Sequence, residues 1–155
     1  MPPTSMPDLD AETERKLAAG LYNEVWRFIE LESRTAEQTD EMIHTAHASR
    51  YHWGRVGSVV NLARGEWMCA RAYAVAGRAE PSLWHARRCL ALLEGAAGAE
   101  DWDLAGAYEG LARASALAGD EVAAKDWLAR GHEAAAAIAD PEDRKPIEAD
   151  LDSLG

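Results

Sequence analysis

The sequence predicts an all-α chain, a stack of antiparallel helical hairpins. Three observations predict it: an internal repeat, an alanine-rich composition poor in strand formers, and apolar residues at helical spacing. Ala70-Arg71-Ala72-Tyr73-Ala74-Val75-Ala76-Gly77 returns 42 residues later as Ala112-Arg113-Ala114-Ser115-Ala116-Leu117-Ala118-Gly119. A period of this length marks stacked supersecondary units, each burying its apolar face on a neighbour. Apolar residues make up 48% of the 155 residues, and many are alanine. Alanine is the strongest helix former. Val59-Val60 apart, runs of strand-favouring residues are missing.

The elements follow in order. Leu17, Leu21, Val25, Phe28 and Ile29 share one face of a first helix from about Asp10 to Glu32. Thr35-Ala36-Glu37-Gln38 has capping-box spacing and opens the second helix, which is expected to end near Trp53 where Gly54 and Gly57 break the chain. Ser58 caps a third helix that stops at Gly77. Glu80-Pro81 starts a fourth, with proline in the first turn, and Gly95 and Gly98 close it. Asp101 or Asp103 is expected to cap the fifth, ending at Gly119, and Asp120 caps the sixth. Asp140-Pro141 begins a short acidic terminal helix, expected to break at Pro146. These signals give a disordered lead over residues 1–8 and one domain over 9–155. Its hairpins lie at about 9–53, 58–95 and 101–138, with a terminal helix at 141–153.

The net charge of −11 argues against a nucleic-acid partner. Residues 50–90 are different: seven arginines face only Glu66 and Glu80, a local +5, so the remainder carries −16. Cys69 and Cys89 form no CxxC pair or disulfide framework, and no apolar run approaches a membrane span. The expected setting is cytoplasmic, without a membrane partner. No G-x-S-x-G, P-loop or G-x-G-x-x-G occurs.

Counting from the two glycines sharpens the repeat. Ala70, Tyr73, Gly77, Ser82 and Cys89 in one copy match Ala112, Ser115, Gly119, Ala124 and Gly131 in the next. Small residues are needed where two helices cross closely, and the turn glycine permits a left-handed backbone. This pattern resembles the tetratricopeptide repeat over roughly residues 61–137. It departs from that family in its period of 42, in Ser82 and Ser115 where alanine and an aromatic are usual, and in lacking a closing proline. The resemblance implies about seven helices in a short right-handed superhelix, and a groove lined by the first helix of each hairpin. It places Arg64, Trp67, Met68 and Arg71 on that groove from one copy, and Glu109 and Arg113 from the next. It also implies a non-catalytic scaffold that binds a protein or peptide segment, acidic where it meets the arginines, with self-association as a variant.

A second constellation points to different chemistry. Asp40, His44 and His47 fall on one helical stripe and offer three ligands to a divalent metal, with Glu66 and His85 as contributors from neighbouring helices. On that reading the chain is a metal-binding pocket protein, with a metal-dependent enzyme as its catalytic variant; otherwise no cofactor is expected. A third reading is a sensor of a small ligand or peptide, using aromatic and arginine positions between the second and third helices. Six tryptophans, about one per helix or link, serve packing register in the plainest reading.

Overall fold

A computed structural model describes Met1 and residues 5–155; the rest of the predicted lead, Pro2 to Thr4, lies outside the described residues. Among the described residues there are seven helices and no strand: α1 (Ala11–Ile29), α2 (Ala36–Val56), α3 (Val59–Val75), α4 (Ala79–Leu93), α5 (Asp103–Leu117), α6 (Glu121–Ala136) and α7 (Pro141–Asp152). The chain is an all-α stack of hairpins. The tightest packing lies within the pairs α1 with α2, α3 with α4, and α5 with α6. The first helices also touch in series, α1 on α3, α3 on α5 and α5 on α7, whereas α2, α4 and α6 make no such contacts with one another. Helices that crowd on one side and separate on the other make the side of α1, α3, α5 and α7 the inner one.

The repeated glycines act as expected. Gly77 and Gly119 have φ of 75° and 78°. After each, the chain closes the same pair of backbone bonds. Gly77 N–H donates to Ala74 O and Arg78 N–H to Tyr73 O, while Gly119 N–H donates to Ala116 O and Asp120 N–H to Ser115 O. This is the Schellman closure, which uses carbonyls that the helix end leaves free. The small positions of the repeat are the helix crossings. Ala70, Ser82, Cys89, Ala112 and Ser115 are all buried, and Ser82 Oγ donates to Ala70 O at 2.8 Å. Gly131 lies against Leu151 of α7, whose Cδ2 would be 2.6 Å from a Cβ placed there.

The capping boxes at Thr35/Gln38 and Ser58/Asn61 are both formed. Three expectations need correction. Gly54 does not break α2, which runs on to Val56; its missing side chain admits Arg50 Nη1, 2.9 Å from where a Cβ would sit. Neither Asp101 nor Asp103 caps α5, whose N-cap is Trp102 without a side-chain bond. Asp101 instead accepts from Ala139 N–H, and Asp103 accepts from Glu100 N–H and from Arg64. Pro146 does not break α7, which passes through it to Asp152. Proline deletes one backbone donor, and α7 continues because Ile147 and Leu151 on its apolar face pack against Ala105, Ala135 and Ile138.

The core is built of small side chains. One cluster joins Val25, Met42, Ala46, Met68, Cys69 and Ala72 from the first three helices. Others run between α3, α4 and α5 and between α5, α6 and α7. Alanine at so many buried positions lets helix axes approach, so large aromatics are accommodated at the inner face.

Candidate functional site: a tryptophan-lined cleft on the inner face

A cleft of about 220 Å³ opens on the inner side. Trp67 of α3 and Gly106 of α5 lie at its floor, Tyr22 and Trp26 of α1 on one wall, and Pro146, Ile147 and Asp150 of α7 on the other. Trp102, Arg64 and Asp103 line it as well, with Cys89 and Leu93 of α4 beneath. The walls do not touch: α1 and α7 make no packing contact. An apolar cavity of about 150 Å³ admits a benzene ring. This cleft therefore has room for one leucine-, phenylalanine- or indole-sized group.

Trp67 and Arg64 are held by side-chain hydrogen bonds. Trp67 donates from Nε1 to Gly106 O at 3.0 Å and to Glu109 Oε2 at 3.3 Å, and its ring lies 5.8 Å from that of Trp26. Gly110 makes room for it: a Cβ there would sit 3.3 Å from Trp67 Cδ1. Gly106 differs, because nothing lies within 4 Å of its Cβ position, which is open, and the residue lines the cleft. Arg64 grips Asp103 with two parallel bonds of 2.9 Å and lies 4.3 Å over the Trp102 ring. The bond to Asp103 raises the Arg64 pKa against the opposing effect of burial. Burial pushes the Tyr22 hydroxyl up to about 12, so it presents a neutral O–H.

Of the six residues expected on the groove, the structure brings five to the inner face. Arg64 and Trp67 line the cleft itself. Arg71, Glu109 and Arg113 form a charge cluster beside it, with the Arg71 guanidinium 5.9 Å from the Trp26 ring and 5.8 Å from the Trp67 ring. Glu109 is 1% exposed. Its Oε1 accepts from Arg113 Nε at 2.7 Å and from Arg71 Nη1 at 3.3 Å. Met68 is the exception. It is fully enclosed in the core with Val25 and Met42, because one residue after Trp67 means a turn of about 100° around α3.

The sequence reading missed the opposite side of the cluster. Asp150 of α7 reaches Arg71 Nη2 at 3.4 Å and lies 3.9 Å from Arg113 Nη2. The acidic group expected from a partner is supplied here by the chain itself. Tyr22, Trp26, Trp102, Gly106 and Ile147 were missed too. Trp26 had the most signal, as a second aromatic on a first helix.

Asp40, His44 and His47 do not gather. Asp40 and His44 are exposed. His47 turns inward, its Nε2 2.8 Å from Tyr73 Oη and its Nδ1 3.8 Å from Cys69 Sγ. Burial and the nearby His85 lower the His47 pKa. His52 pairs with Glu14 of α1, which also holds Arg55. Glu66 bridges His85 Nδ1 at 2.6 Å and Arg50 Nε at 3.0 Å. These are pairs between helices, and among the described residues no group of three or more His, Cys, Asp or Glu is disposed to hold a metal. The thiols of Cys69 and Cys89 are buried and pushed up to about 12, which leaves them without thiolate for nucleophilic work.

No helix among the described residues is long and apolar enough to cross a membrane. Comparison of the chain with protein-family profiles, curated proteins and solved structures found no match.

Proposed function

We propose that the chain is a non-catalytic binding module of tetratricopeptide-like build, and that its inner cleft seats one apolar side chain of a partner protein segment. The observation that carries this reading is the cleft: a tryptophan-floored space left open between α1 and α7, with Trp67 bonded to a backbone carbonyl and Arg64 to a carboxylate. An aromatic floor already held by hydrogen bonds loses little side-chain entropy when an apolar group enters.

The probe is N-acetyl-leucinamide, a single capped side chain of about twelve non-hydrogen atoms. At about 0.3 kcal/mol per atom it binds with a Kd in the millimolar range. Titration followed at the Trp67 indole N–H by nitrogen-15 NMR is expected to give a saturable shift. Gly106→Leu fills the open Cβ position and replaces a helical glycine, so it keeps the fold and abolishes the shift. A wild-type protein whose indole signal does not move, or a Gly106→Leu protein that binds equally well, refutes the reading.

A further inference from the structure

Arg71 and Arg113 are the repeat's own arginines, brought together on the inner face, yet their bonds are unequal. Glu109 holds Arg113 at 2.7 Å, a full charge-assisted bond. Asp150 sits at 3.4 and 3.9 Å from the pair, beyond the 2.7–2.9 Å of a well-made ammonium- or guanidinium-carboxylate contact. Two nitrogens, Arg71 Nε and Arg113 Nη2, are buried with no hydrogen-bond partner. Buried donors of this kind are normally satisfied. Two guanidinium groups facing one well-bonded and one slack carboxylate therefore hold spare donor capacity, at the edge of a cleft that already fits an apolar group.

Resting on the reading of that cleft as a binding site, we infer that its ligand carries a carboxylate next to the seated apolar group, and that Asp150 is a placeholder which this carboxylate displaces. The two groups are neighbours in the ligand because the Arg71 guanidinium lies 5.8 and 5.9 Å from the rings of Trp67 and Trp26 that line the cleft. Displacement needs only a side-chain movement. The Asp150 side chain is 34% exposed and free to swing outward, while α7 stays anchored by Leu151, which is fully buried against Gly131. With Asp150 in place the four charges sum to zero; without it Arg71, Arg113 and Glu109 leave a net +1 that favours an anionic ligand. The ligand is thus an apolar acid, either a chain end with an apolar last residue or an internal apolar residue beside Asp or Glu.

The test compares three probes: N-acetyl-leucinamide, N-acetyl-leucine with a terminal carboxylate, and N-acetyl-Leu-Asp-amide with a side-chain carboxylate. Each is titrated into wild type, Asp150→Asn and Arg113→Met, with circular dichroism to confirm an unchanged fold. At least one acidic probe is expected to bind about tenfold tighter than the amide. Asp150→Asn strengthens that probe by several-fold more than it changes the amide, and Arg113→Met abolishes the acidic advantage. Which acidic probe gains tells the chain end from the internal residue. Acidic probes that bind no tighter than the amide to Asp150→Asn overturn the inference, while the amide's own binding and its loss in Gly106→Leu judge the cleft separately.

Discussion

Replacing Glu109 by glutamine removes one charge from the centre of the inner face and keeps its shape. Glu109 is 1% exposed and bonds Arg113 at 2.7 Å, Arg71 at 3.3 Å and the Trp67 indole at 3.3 Å. Glutamine retains an acceptor for the indole but leaves two largely buried guanidinium groups facing each other. At an effective dielectric of about 20, each lost attraction is about 5–6 kcal/mol before desolvation is counted. Measured losses on removing one partner of a buried pair are about 3–5 kcal/mol. Asp150 remains nearby and offsets part of the excess charge, so the low end, about 3 kcal/mol, is expected. For a chain of this size that corresponds to a fall in Tm of about 6–12 °C. Urea and thermal unfolding followed by circular dichroism read it. Adding Arg113→Met to Glu109→Gln should then restore part of the loss, because the second cation is gone and methionine fills the space. A loss below about 1 kcal/mol for Glu109→Gln, or no recovery in the double variant, refutes the claim that this carboxylate holds the inner face together.

Other outcomes follow from the same structure. Gly57→Ala is expected to lower stability by about 1–3 kcal/mol, since its Cβ would lie 2.7 Å from Trp53 O and 2.8 Å from Asn61 Cβ, whereas Gly106→Ala, in an open helical position, should raise it by about 1 kcal/mol; urea melts read both. Acid should destabilise the chain in two stages. His47 has a folded pKa below its ordinary 6.5, so the unfolded chain takes up that proton first, and stability present above pH 6.5 is lost as pH falls toward the folded value. For Glu66, burial raises the pKa but His85 and Arg50 outweigh it, leaving a net value below 4.5, so its contribution is present above pH 4.5 and lost as pH falls through the folded value. Stability measured from pH 8 to 3 should decline monotonically, with His47→Gln flattening the upper stage. Cys69 and Cys89 should resist a thiol reagent at pH 8 in the folded protein and react fully in urea; fast native labelling would contradict their burial.

Local chemistry was legible where a residue acts on its own backbone. Gly77 and Gly119 end helices because each needs a positive φ, and Thr35/Gln38 bond across three residues. Gly54 misled because a glycine that admits a distant side chain looks the same as one that ends a helix. Asp103 misled for a like reason: a first-turn acid suggests a cap, but Arg64, 39 residues away, claims its carboxylate. The groove was half legible. Arg71 and Arg113 recur in one register, so the duplication itself announced them. Asp150 lies 79 residues from Arg71 on an element outside the repeat, and no periodicity links the two. The histidines show the limit of a single stripe. Asp40, His44 and His47 share one side of α2, yet His47 turns to Tyr73 and comes within 5.2 Å of His85, as helix neighbours rather than spacing decide.

The most direct test of the cleft is where a bound apolar group sits. Intermolecular nuclear Overhauser effects between the methyl groups of saturating N-acetyl-leucinamide and the protein are expected at the Trp26 and Trp67 rings and the Gly106 α-protons together. Methyl contacts confined to the exposed Trp84 or Val122, with none at those three residues, would contradict the account.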